Sequence, residues 1–151
     1  MLNEQFVFYI LFTGILLLVS ISDILWRRVP NFVIYPAILL ALTHVIWNGW
    51  LGSALLGGLV GSIAFLVPVL IYGPNRSGMG DVKLALLIGM VLGFPGVVIA
   101  IGGGFILAGV VVAMGVIIGR LNRHSVIPFG PFLATGAFFA VWINLANFKV
   151  W

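Results

Sequence analysis

Residues 77–84 read Ser77-Gly78-Met79-Gly80-Asp81-Val82-Lys83-Leu84 and set a carboxylate at the mouth of an apolar run that continues to Gly93. The whole chain carries three acidic residues, Glu4, Asp23 and Asp81. An ionisable group at membrane depth costs roughly 2.5 to 3.5 kcal/mol on insertion scales, so a chain this apolar keeps Asp81 for a reason. Gly78 and Gly80 let the backbone before it turn tightly and let another chain approach. That suits a site which admits a peptide.

Hydrophobic residues make up 63% of the 151 positions and charged residues 7%, and the mean hydropathy is +1.30. These values exclude an ordinary soluble domain and indicate a membrane protein. No polar stretch exceeds about a dozen residues, so a single domain, 1–151, of short-looped helices is expected. The absence of cysteine removes disulfides, thiolate metal sites and thiol nucleophiles. His44 and His124 are too few for a zinc cluster, so neither metal nor cofactor is expected. A net charge of +4 would suggest nucleic acid in a soluble chain, but here it is read loop by loop as an orientation signal, and no nucleic-acid partner is expected.

The apolar runs predict six spans: Gln5 to Ser22, Asn31 to Trp47, Leu51 to Tyr72, Val82 to Gly93, Val97 to Ile118, and a last one ending near Phe148. The first run is preceded by Glu4 and followed by Arg27 and Arg28, the reverse of a cleavable signal peptide. Pro30 ends or restarts helix, and Trp26 suits the headgroup layer. Ser53, Gly57 and Gly61, four apart, predict close helix packing. The fourth run is short: twelve residues rise only about 18 Å. Either its helix starts inside the preceding loop, or Asp81 lies below the surface in a wet notch.

Arg27, Arg28, Arg76, Lys83, Arg120 and Arg123 fall in or beside the loops after spans one, three and five, and only Lys149 lies on the other side. Six against one places both termini outside and puts Asp23 and Asp81 together at the cytoplasmic face. When two aspartates share a water, like-charge repulsion lets the pair hold a single proton. The ionised member then takes a proton from water as it attacks a peptide carbonyl, while the protonated member donates to the carbonyl oxygen. Plainer roles stand beside this one: an i,i+4 ion pair of Asp23 with Arg27, a helix cap for Asp81, and a stiff helix start for Pro128-Phe129-Gly130-Pro131. Lys83, two residues on from Asp81, is read as a snorkelling anchor pointing away from it. The other basic residues are orientation determinants, and the two histidines are bystanders.

Three separated motifs together resemble the type IV prepilin peptidases: Ser22-Asp23 with Arg28-Val29-Pro30-Asn31; Gly78-Met79-Gly80-Asp81-Val82-Lys83-Leu84; and Ile127-Pro128-Phe129-Gly130-Pro131-Phe132-Leu133-Ala134. Their order, spacing and six-span layout agree along essentially the whole chain. The resemblance implies an all-α polytopic protein of the inner (cytoplasmic) membrane. It would be an aspartic endopeptidase with Asp23 and Asp81 as its catalytic pair, the second motif being shared with the presenilin group. Gly78, Gly80, Lys83, Pro128, Phe129, Gly130 and Pro131 would shape the site or touch substrate. The implied substrates are pilin-like precursors, cut on the cytoplasmic side after a short basic leader ending in glycine, just before an apolar helix. Longer members carry an N-terminal cytoplasmic extension with paired CxxC motifs resembling a zinc site. No cysteine occurs in these 151 residues, and the expectation is a chain without that extension: the short branch, peptidase without N-methylation, of the kind found with Flp/Tad pili, competence pseudopili or archaeal-type filaments. The alternatives are a proton- or cation-coupled transporter using the same aspartates and a non-enzymatic pilus-assembly subunit. The oligomeric state is left open.

Overall fold

Every element of the computed structural model is a helix, and residues 4–73, 78–120 and 127–147 are described. The order is α1 (Glu4–Trp26), α2 (Asn31–Asn48), α3 (Leu51–Tyr72), α4 (Met79–Ile117) and α5 (Gly130–Asn147). The first four are long and apolar enough to cross a membrane. Large apolar side chains such as Leu17, Leu18, Leu39, Leu70 and Ile106 stand exposed on the outer surface, where lipid is their natural solvent. The architecture is that of a polytopic helical membrane protein.

The punctuation residues act as their chemistry requires. Pro30 precedes α2 in an extended conformation, and its carbonyl accepts from the N–H groups of Val33 and Ile34. Gly49 closes α2 in the left-handed region at φ 76°, a conformation that glycine adopts without strain. Trp26 and Trp47, at the C-terminal ends of α1 and α2, are both exposed, as suits residues of the headgroup layer.

α4 is the central element. Of its most apolar stretch 72% is buried, against 22% in α1 and in α2, and α3, α5 and α2 all pack on it. Its 39 residues would run about 58 Å if straight, nearly twice a hydrocarbon core of about 30 Å. The helix is interrupted at Gly93 and Phe94, which leave the helical region at φ 66° and φ −99°, and Phe94-Pro95 is cis. Ser53 of α3 meets this break from both sides. Its hydroxyl donates to Phe94 O and accepts from Phe94 N–H, each at 3.1 Å, so backbone groups freed by the interruption find a partner inside the protein.

The packing predicted for Gly57 and Gly61 is present. A Cβ on Gly57 would overlap the carbonyl of Gly89, and one on Gly61 would lie 2.5 Å from Ala85 O. The two backbones therefore pack with no side chain between them. The short fourth run is also explained, because α4 begins at Met79, inside the predicted loop, and carries Asp81 in its first turn. Arg76, Ser77, Arg123, His124 and Lys149 lie outside the described residues, as does the predicted end of the last span near Phe148.

Gly57→Leu is expected to force α3 off α4 and lower stability by about 1–3 kcal/mol. Ser53→Ala, which removes only the bonds at the break, should cost about 1 kcal/mol. Gly14→Ala, with open space around it, serves as the neutral comparison in thermal unfolding of the detergent-solubilised protein.

Candidate active site

One cavity of about 430 Å³ lies where the end of α1, the turn into α2, the start of α4 and the segment before α5 converge. Asp23, Arg27, Arg28, Asn31, Gly78, Gly80, Asp81, Lys83, Pro128 and Phe129 are among the residues lining it. Asp23 and Asp81, 58 positions apart in sequence and on different helices, thus line one cavity.

Asp23 sits in the last turn of α1 and is 7% exposed. Its Oδ2 accepts a hydrogen bond of 2.9 Å from the backbone N–H of Gly130. The alternative partner, Arg27, is exposed beyond the helix end in the left-handed region at φ 51°. The continued helix that an i,i+4 pair requires is therefore absent. Ser22, quoted beside Asp23 but given no task, donates to Arg28 O at 2.9 Å and so pins the turn that leads to α2. Its signal in the sequence is a hydroxyl next to a carboxylate at the end of an apolar helix.

Asp81 is the third residue of α4, whose N-cap is Gly78 and has no side-chain capping bond. The cap reading of Asp81 is thereby replaced: the carboxylate stands near the helix start, where the aligned peptide dipoles favour negative charge. A Cβ on Gly78 would lie 3.3 Å from Asp81 Oδ2, and one on Gly80 would lie 2.7 Å from Val29 Cγ2. The two glycines therefore make room, one for the carboxylate itself and one for the turn after α1.

Lys83 stands in the cavity wall, where the resemblance puts it, and departs only from the anchor reading that points it away. It lines the same cavity as Asp81, with Nζ donating to Asn31 Oδ1 at 2.8 Å and standing 5.0 Å from the Tyr35 ring centre. Spacing along the helix puts its Cβ on another side from Asp81, but the cavity wraps the exposed start of α4 and the four-carbon stem reaches across to α2. Asn31 was quoted in the first motif without a task of its own, and Tyr35 was not singled out; neither residue type carries a mark of this contact.

The proline-rich segment divides. Pro128 and Phe129 line the cavity, and the Phe129 ring packs against Phe65 and Phe105 with centres 5.4 and 5.0 Å apart. Gly130 meets Asp23, while Pro131 faces the groove between α1 and α5 and does not line this cavity. His44 is remote from it, stacked on Phe8 at 3.7 Å; its Nδ1 is buried and has no hydrogen-bond partner among the described residues. No group of three metal-ligating side chains occurs among the described residues.

A family model described as the type IV leader peptidase family matches residues 10–119, a range that includes both aspartates. The chain belongs to that family. The prepilin leader peptidase/N-methyltransferase of Bacillus subtilis is 30% identical over 134 residues, covering 87% of this chain and 53% of that protein. The chain spans about half the length of this leader peptidase relative. No solved structure matches it.

The contact between the second leader-peptidase motif and the turn after α1 can be tested by stability alone. Gly80→Ala is expected to destabilise through the clash with Val29. Val29→Ala in the same chain should restore about 1 kcal/mol as a coupling energy in a double-mutant cycle of thermal unfolding.

Proposed function

We propose that this chain is a membrane aspartic endopeptidase that removes the short basic leader of type IV pilin-like precursors. The observation that carries this reading is the convergence of two of the chain's three acidic residues on one cavity at one end of the helix bundle. Family membership and the relative's printed name supply the substrate class.

The chemistry follows from the pair. One carboxylate, ionised, removes a proton from water as the oxygen bonds to the scissile carbonyl carbon, and the other, protonated, donates to the carbonyl oxygen. Collapse of the tetrahedral species breaks the C–N bond, and the proton taken from water passes to the leaving amine. Two carboxylates and a water account for hydrolysis and not for methyl transfer, so the proposal is confined to the peptidase activity and to residues 1–151 as one membrane-embedded domain.

The topology proposed with it has six crossings, with the two parts of α4 on either side of Gly93 counted separately and α5 as the last. Both termini then lie outside, and the cavity, with Arg27, Arg28 and Lys83 around it, faces the cytoplasm across the inner membrane, in accord with the positive-inside rule. A precursor whose apolar helix lies in the bilayer would present its leader junction at the depth of the two carboxylates. Gly78, Gly80 and the irregular stretch at Pro128 and Phe129 would offer backbone partners to the extended junction. Lys83, held by Asn31, would shape the cavity wall.

Co-expression with a pilin-like precursor tests the reading. The wild-type chain is expected to shorten the precursor, and Asp23→Asn and Asp81→Asn should each reduce cleavage by roughly 1,000-fold or more while still inserting in the membrane. Undiminished processing by both variants would sink the proposal and point to a structural or ion-binding pair.

A further inference from the structure

The first turn of α5 leaves one backbone donor free, and Asp23 takes it. A helix start has N–H groups without intrahelical partners, and here each is accounted for. Pro131 has none to offer. Phe132 N–H and Leu133 N–H both donate to Phe129 O, at 3.0 and 3.1 Å. Gly130 N–H remains, and it donates to the carboxylate of a residue 107 positions away. The same residue has the space the carboxylate needs. A Cβ at position 130 would stand 2.6 Å from Asp23 Oδ2, 3.1 Å from its Cγ and 3.2 Å from its Cβ, so the carboxylate would have to turn away from its donor, and the tight contacts to Cγ and Cβ would persist after it had turned.

α5 is held too closely to yield instead. A Cβ on Gly136 would overlap the carbonyl of Ala100, and one on Gly104 would lie 3.0 Å from Phe132 O. The helix start is therefore fixed against α4, and Asp23 is the partner that would have to move.

We propose that Gly130 is a positioning residue for Asp23: its N–H fixes the orientation of the carboxylate, and its missing side chain leaves the volume in which that carboxylate lies. The inference rests on the peptidase reading of the Asp23–Asp81 pair. Gly130 touches neither water nor peptide in this role and acts through Asp23 alone. The pattern Phe129-Gly130-Pro131 then has a reason beyond stiffness. Glycine provides the donor and the room, and proline withholds a competing N–H beside it.

The test uses steady-state cleavage by the full chain in detergent, with a synthetic probe made of a short basic leader ending in glycine joined to an apolar helix. Gly130→Ala keeps the N–H but fills the space. It is expected to lower the kcat of the folded fraction by about 10- to 100-fold, as misplacement of a reacting group does, with KM within about twofold. Ser53→Ala, at the break in α4 and outside the cavity, is the structural control, expected to lower stability while the folded fraction keeps its kcat. A cleaving wild type beside a Gly130→Ala variant with unchanged kcat, or with its loss confined to KM, overturns the role of Gly130 alone. A wild type that leaves the probe intact overturns the peptidase reading and this role with it. Should Gly130→Ala fail to fold, the Gly130 amide proton resonance decides. It should move in Asp23→Ala and hold its place in Asp81→Ala, and no movement in Asp23→Ala overturns the proposal.

Discussion

A carboxylate at the edge of an apolar interior has to be given donors, water or an opposite charge, and the fold supplies the first two at one end of the bundle. Asp23 receives a backbone donor from a helix that starts more than a hundred residues later. Asp81 receives the positive end of its own helix and a share of a cavity wide enough for solvent. Everything that brings α1, α4 and α5 to one point is thus a condition for keeping either charge. The same geometry that makes the two carboxylates tolerable also makes them neighbours.

That convergence depends on backbones that pack without side chains between them. The contact of Gly57 with Gly89 seats α3 on α4, and that of Gly136 with Ala100 seats α5 on the other part of α4. In lipid there is little hydrophobic gain from bringing helices together, so close packing and interhelical hydrogen bonds carry the association. The break at Gly93–Phe94 belongs to the same design. It divides one very long helix into two shorter parts, and Ser53 supplies the hydrogen bonds the interruption requires.

Much of this was legible because the chain uses few polar residues and spends them in few places. Pro30 and Gly49 bound α2 almost where their backbone preferences put them, and the scarcity of acids drew attention to Asp23 and Asp81 before any distance was known. What could not be read was carried by groups without a residue signature. The N–H of Gly130 is a backbone donor like any other until the neighbouring donors are found to be absent or spent. Lys83 was placed by the direction of its Cβ, whereas its contact with Asn31 depends on the length of its stem and on where α2 begins. The Asp23–Arg27 pairing assumed that α1 continues, and the helix stops at Trp26.

The two carboxylates are also held in different ways, and this bears on how a peptide would be received. Asp23 is tied at one end by the helix that carries it and at the other by Gly130, and is nearly sealed from solvent. Asp81 accepts no hydrogen bond at its carboxylate from the described residues, and it stands half-buried in the first turn of α4, beside two glycines. A site built from two rigid carboxylates would demand that an unwound, extended junction arrive already in register. In the proposed reaction, the carboxylate held by Gly130 would set the register of the scissile carbonyl and the other would close on it. The reorganisation such a reaction needs would then fall on a short side chain at a helix start, while the helix packing that maintains the bundle would stay in place.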